Sequence, residues 1–385
     1  MNNNQNETLR FCDWRIEIYG CFMSDMFSME AITSLITYAI LAIIGTATFI
    51  YRYKYTWKGL FINHYGGLRP LPVDNLLFFW TIACYLRGLH SLLMLLDVYT
   101  SYLQKEAVQE IGWTVLCYGA VTYIIGIIYT IPVNYSHSNN SENDDSNNLY
   151  KVRTIYIPSS KVLNILLCCW LLYPTLTCFP FAMLSGISRD NGNDRLADIW
   201  TMAQYIAYTF HDLLLSTVGI YYGINFILIL NKSSEQFKSS TPSSASQSST
   251  TRLEKSTTSY NYTNNNVSRV ALDRLKYTMT YIAILPLIAA PWWFFFGVYR
   301  VKFISSAGLS NLFLSSMWHV TGIQPLMAVF QYIVVKGAYQ DYKSNKPLKL
   351  KSSATSTSLS STLSPNNSEF SVDNDQIDQI SENLE

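Results

Sequence analysis

The stretch AITSLITYAILAIIGTATFIY, residues Ala31 to Tyr51, decides the fold. It carries no charged side chain and is long enough to cross a bilayer, whose hydrocarbon core takes about 20 apolar residues as a helix. Lipid offers no partner to a backbone N–H or C=O, so a helix that pairs them internally is the expected form. Six more such runs follow: about Asn75–Val98, Val108–Pro132, Val162–Leu184, Leu196–Leu230, Leu275–Val298 and Leu309–Val335. The fifth exceeds a simple span, so one end is expected to project into water. The expected fold class is therefore all-α: a polytopic membrane protein with a seven-transmembrane-helix bundle.

Composition agrees. Of 385 residues, 49% are hydrophobic and 14% charged, against about 25% charged in soluble domains. Many aromatics sit near the ends of the runs, as an interfacial belt would. The net charge of +1 singles out no partner class, and no nucleic acid is expected to bind. The polar N-terminus, with a long and late first apolar run, does not look like a cleavable signal peptide.

The domain plan divides into an N-terminal tail, 1–28, a bundle, 29–337, and a Ser/Thr-rich, acidic-ended tail, 338–385. Within the bundle, loops at about 134–160 and 231–270 are rich in Asn, Ser and Thr. These loops and the C-terminal tail cannot bury enough apolar surface to offset ordering entropy and are expected to be disordered. Orientation follows from Lys and Arg. Arg52, Lys54, Lys58 and Arg69 crowd into the first loop alone, and the other loops of that set add more. The opposite set holds only Arg10, Arg15, Lys105, Arg189, Arg195, Arg300 and Lys302. Positive-inside places the N-terminus outside and the C-terminus in the cytosol, in the plasma membrane rather than an internal one. Asn6 then heads an outward-facing glycosylation sequon. Cys12 and Cys21, both in the tail, could pair there, whereas Cys84, Cys117, Cys168, Cys169 and Cys178 read as small buried hydrophobes. Ser364 and Ser368 are the plainest phosphorylation candidates of the tail, where phosphate would add charge to a cytosolic surface.

Ionisable groups at mid-bilayer depth are costly and mark function. Arg87 and His90 lie one turn apart in the second run, His211 and Asp212 near the middle of the fifth, and His319 in the seventh. They are the expected ligand-binding residues of a polar intramembrane chamber, with Arg87 neutralised by Asp212. An interhelical pair that only fixes packing is the plain alternative. Pro286, Pro291 and Pro325 interrupt runs six and seven and would permit kinks for a switch; Pro174 and Pro180 interrupt run four.

The layout of seven spans, an outside N-terminus, a long third cytosolic loop and a Ser/Thr-rich tail resembles G-protein-coupled receptors. The resemblance rests on topology. Run three ends in Tyr129-Thr130-Ile131-Pro132 rather than Asp-Arg-Tyr, and run six has Ala290-Pro291-Trp292-Trp293 rather than Cys-Trp-x-Pro. It implies a receptor-like signalling protein, with membrane lipid around it, an extracellular small-molecule or peptide ligand, and a heterotrimeric G protein or other cytosolic effector as partners. The span count is also similar to plant and fungal proteins of the tobamovirus-multiplication type. The alternative function is a secondary transporter or channel using the same Arg, Asp and His. A minority alternative is a zinc hydrolase of the ceramidase and adiponectin-receptor type, but the His-x-x-x-His pair of that type is missing, since His319 stands alone in its run. No cofactor, metal or catalytic residue is expected.

Overall fold

A computed structural model describes residues 13–21, 23–55, 59–64, 67–131, 157–239, 255–305, 308–319 and 324–339. Helix dominates. α1 spans Ser24–Tyr55, α2 Pro72–Leu95, α3 Tyr102–Thr130, α4 Ser160–Tyr173, α5 Phe179–Asp190, α6 Asp194–Ser239, α7 Lys255–Ser305 and α8 Gly308–His319. A further helical stretch, α9, covers 324–339. Six helical segments among the described residues are long and apolar enough to cross a membrane, by length and composition: Ser24–Tyr55, Pro72–Leu95, Tyr102–Thr130, Ser160–Asp190, Asp194–Ile229 and Lys276–Lys302. This is consistent with an integral multi-pass membrane protein. The seventh apolar run is not among them: its described helix comes as the shorter pieces α8 and α9.

The outer faces carry the lipid pattern. Ile32, Ile36, Ile40, Ile43 and Ile50 of α1 are all exposed, Ile43 by 66%. They recur at helical spacing on one side while Ser34, Tyr38, Leu41, Gly45 and Thr48 are buried on the other. An apolar stripe of that length left open is unfavourable in water and ordinary in lipid. Inside, α2 packs along α1 and α3, α6 along α7, α5 between α3 and α6, and α8 on α1. Gln331 of α9 donates to the Leu41 carbonyl at 3.0 Å, and Phe330 meets Trp80 edge to face at 4.8 Å, so α9 closes against α1 and α2.

Two features depart from an all-helical reading. Phe61–His64 (β1) and Gly67–Pro70 (β2) form an antiparallel two-stranded hairpin in the first loop, Phe61 opposite Pro70. It ends where Leu71 N–H bonds the Leu60 carbonyl at 2.9 Å, which hands the chain to α2 with Pro72 in its first turn. The third loop also differs: α6 and α7 reach into the 231–270 tract from both sides, to Ser239 and from Lys255.

The prolines behave according to position. Pro174 opens one turn of π-helix, Pro174–Cys178. A proline has no N–H to give its preceding turn, and the wider turn accommodates that. Phe179 N–H closes it onto the Pro174 carbonyl, and Thr175 hydroxyl bonds both Leu171 carbonyl, at 3.4 Å, and Tyr118 hydroxyl. Pro180 follows in the first turn of α5, within the continuous helical segment Ser160–Asp190. Pro286 and Pro291 lie inside α7, which continues through both as helix, so they do not break run six. Pro325 is the second residue of the described stretch 324–339.

α3 and α5 approach closely at Gly186. A Cβ there would lie 2.6 Å from Leu103 Cα and 2.9 Å from Leu103 N, both backbone atoms that cannot swing aside. Gly186→Val is expected to force the helices apart and cost about 1–3 kcal/mol, the usual penalty of overpacking; a thermal melt of the purified protein in detergent reads it as a lowered midpoint.

Candidate functional site: a charged cluster above an aromatic layer

The site begins in the N-terminal segment. Asp13 starts a tight turn, its carbonyl accepting from Ile16 N–H at 2.9 Å and Glu17 N–H at 2.7 Å. The alternation Trp14, Ile16, Ile18 then supplies apolar anchors that are 0–4% exposed. Between them Arg15 is driven inside, 1% exposed. A buried ion costs on the order of several kcal/mol unless paired, and each charge here is paired. Arg15 meets Asp13 and Glu106 of α3 at 3.2 Å each and donates to Tyr205 hydroxyl of α6 at 3.1 Å. Asp13 accepts from Arg189 of α5 at 3.0 Å and from Arg300 of α7. Arg300 reaches on to Asp198 at 2.7 Å. One short segment thus joins α3, α5, α6 and α7.

The Asp13 carboxyl is pushed up by burial, yet the guanidiniums of Arg15, Arg300 and Arg189 outweigh this and hold it well below its ordinary 3.8. Burial pushes the Arg15 guanidinium down, yet Asp13 and Glu106 outweigh this and hold it well above its ordinary value.

Beneath this cluster lies an aromatic layer centred on Trp293 of α7. Its ring stacks near Tyr205 and Tyr208, with centroids at 5.5 and 5.2 Å, and meets Trp113 of α3 edge-on at 5.1 Å. Its Nε1–H donates to Asp212 at 2.9 Å. Asp212 also faces His211 Nδ1 at 3.3 Å, and the His211 ring stacks on Tyr173 at 5.6 Å. Glu110, one turn below Glu106, accepts from Gln204 at 2.6 Å and from Tyr208 hydroxyl.

Arg87 occupies the far side of Trp113. Its guanidinium lies 4.6 Å from the Trp113 ring centre and 5.8 Å from that of Tyr38, both within reach of a cation–π contact. Gly112 leaves the room, since a Cβ there would lie 2.9 Å from Arg87 Cδ. The Nε and Nη1 of Arg87 are buried and find no hydrogen-bond partner among the described residues. His90 turns toward the charged cluster. Its Nε2 lies 3.2 Å from the Arg15 carbonyl and its Nδ1 3.0 Å from Tyr99 hydroxyl. A carbonyl only accepts, so Nε2 carries a hydrogen and Nδ1 can accept from Tyr99.

Sequence reasoning placed Arg87, His90, His211 and Asp212 in one layer, and all four are buried side chains. The expected neutralisation of Arg87 by Asp212 is not what forms. Asp212 is held by Trp293 and His211, and Arg87 by aromatic faces, because Trp113 and Trp293 stand between α2 and α6. His90 and His211 belong to separate networks, and no group of three or more His, Cys, Asp or Glu that could hold a metal occurs among the described residues. His319 ends α8; its side chain, with Cys12, Asn6, Ser364 and Ser368, lies outside the described residues. Cys21 is in a disulfide, while Cys84, Cys117, Cys168, Cys169 and Cys178 are free. Cys168 and Cys169 are exposed rather than buried, on the outer face of α4.

The larger omission was the charged cluster. In the sequence Arg15, Arg189 and Arg300 enter only the loop count that sets orientation, and Asp13, Glu106 and Asp198 are not singled out. The signals were present: the Trp14-x-Ile16-x-Ile18 alternation, and Glu106, Gln109, Glu110 and Trp113 falling on one helical face. No protein-family model, curated protein or solved structure matches this chain.

Two outcomes follow from the cluster. Asp13 has a depressed folded-state pKa, so its contribution is complete above the unfolded value of 3.8 and is lost as pH falls through the lower folded value. The melting midpoint of the wild type is therefore expected to fall more steeply below about pH 4 than that of Asp13→Asn, an ordinary carboxyl titrating near there. Glu106→Gln removes one of the two carboxylates that neutralise Arg15 and is expected to destabilise by about 3–5 kcal/mol, the cost of breaking a buried pair, measured by denaturation in lipid nanodiscs.

Proposed function

We propose that this chain is a receptor-like, seven-span signalling protein with its N-terminus outside and its C-terminus in the cytosol. Its seventh span is made of α8 and α9 together. A ligand arriving from outside acts on the charged cluster and the aromatic layer, and the change is relayed along α7 to the cytosolic loops and tail. A heterotrimeric G protein or another cytosolic effector takes up the signal there. The plasma membrane is the setting this reading requires.

One observation carries the proposal: Trp293 links both tiers. It packs against Tyr205, whose hydroxyl binds Arg15, and it donates to Asp212 at bilayer depth. A displacement at the mouth is thereby transmitted to α7, the helix that runs on as far as the third-loop tract. The seven-span count is supported by the contacts of α9 with α1 and α2. The orientation is supported by the Lys and Arg asymmetry of the loops.

Transport is the second reading, and one observation favours it. Among the described residues Glu110 is buried with Gln204 and Tyr208 as hydrogen-bond partners, and Arg87 has no carboxylate partner. Unpaired ionisable groups of this kind also mark proton and substrate paths.

A cell-based screen for a second-messenger response identifies an activating ligand. Arg87→Leu and Asp212→Leu are then expected to reduce the response at least tenfold while surface expression persists. An undiminished response in both variants contradicts the chamber. Proton or solute flux in proteoliposomes, lost in Glu110→Gln, would favour the transporter instead.

A further inference from the structure

We infer that the recess lined by Glu106, Arg189, Asp198, Tyr205, Phe296 and Arg300 is a peptide-binding site, filled in this structure by the chain's own residues 13–18. The inference rests on the receptor reading and names the ligand class: a short peptide with an acidic, an aromatic and a basic residue in succession.

The recess reads side chains one by one. The Asp13 carboxylate falls between Arg189 and Arg300. The Arg15 guanidinium falls between Glu106 and Tyr205 hydroxyl. The Trp14 ring lies 5.8 Å from that of Phe296. His90 grips the Arg15 carbonyl from α2. The backbone hydrogen bonds of its turn, from Ile16 and Glu17 to the Asp13 carbonyl, lie within the segment. It is docked as a ligand is docked, by side chains in complementary seats around a self-contained turn.

The emptied recess stays electrically self-consistent. Arg189 and Arg300 both reach Asp198, at 3.7 and 2.7 Å, which leaves a recess with a cationic side and an anionic side. A ligand with one charge of each sign, one residue apart, matches both. A segment that only closed the bundle would need apolar anchors alone, and these are already present in Trp14, Ile16 and Ile18. Covalent tethering gives the chain's own segment a high effective concentration, so a free peptide competes once the seats of Asp13 and Arg15 are vacated.

The test uses full-length protein in nanodiscs and a fluorescent octapeptide, Asp-Trp-Arg-Ile-Glu-Ile-Tyr-Gly, copied from residues 13–20. The double variant Asp13→Ala/Arg15→Ala is expected to bind it saturably, at least tenfold more tightly than the wild type does. A peptide with the Asp and Arg exchanged is expected to be ignored. A folded double variant that binds neither peptide, or both alike, overturns the inference. Hydrogen exchange on the wild type decides independently of that variant. The amides of Ile16 and Glu17 are expected to exchange well before those of the α3 core, Ile124 to Ile128. Exchange of both groups only together, in global unfolding, would make the segment an integral part of the fold and overturn the site. Because neither readout involves signalling, a protein that binds the peptide yet evokes no cytosolic response defeats the receptor reading alone.

Discussion

The carboxylate of Asp13 is the acceptor on which the tail end of the bundle depends. Three guanidiniums, from Arg15, Arg189 and Arg300, converge on it from the segment itself, from α5 and from α7. Cations packed this closely in an apolar setting repel one another and lose their hydration. The arrangement is tolerable only because Asp13, Glu106 and Asp198 supply matching negative charge. With Arg15 in place, loss of Asp13 leaves three guanidiniums against only Glu106 and Asp198. The same electrostatic requirement that closes the mouth therefore fixes where four helix ends stand.

Below the cluster the physics changes from ion pairs to rings. Trp113 and Trp293 stand between Arg87 on one side and Asp212 on the other. Large planar side chains fill the bundle where opposite charges would otherwise meet. Arg87 is held by the negative faces of Trp113 and Tyr38, an attraction that strengthens on desolvation, and Gly112 is the residue whose small size permits it. The layer is held by stacking and by the Trp293–Asp212 hydrogen bond, and it is on these contacts that the proposed relay at Trp293 rests.

Much of the architecture could be read from the chain because one period decides it. A run such as Ala31–Tyr51 has no charge to place, and lipid leaves helix as its only paired state; the corresponding helix runs from Ser24 to Tyr55. In the seventh run, 308–319 and 324–339 are described as helix, and the residues between them lie outside the described residues. The hairpin at Phe61–Pro70 escaped notice although Gly66-Gly67 is a turn signal between short apolar runs. In the site, depth singles out Arg87, His90, His211, Asp212 and His319, and the first four are buried side chains. Depth could not say which charges pair, because pairing depends on which helices are neighbours and on what stands between them. Arg15, Arg189 and Arg300 do not stand out in the sequence, because a charge near the end of an apolar run looks the same whether it faces water or a buried carboxylate.

The docking of the N-terminal segment is the central claim, and thiol accessibility in intact membranes tests it most directly. With the five free cysteines replaced, single cysteines are introduced at Ile16, which is 0% exposed, and at Tyr19, which is 45% exposed. A membrane-impermeant thiol reagent is then added to whole cells. Tyr19→Cys is expected to be labelled rapidly from outside, while Ile16→Cys is labelled many-fold more slowly, through local undocking of the segment. Equal, rapid labelling of both would show that the segment does not seat in the bundle, and the cluster built on Asp13 would fall with it.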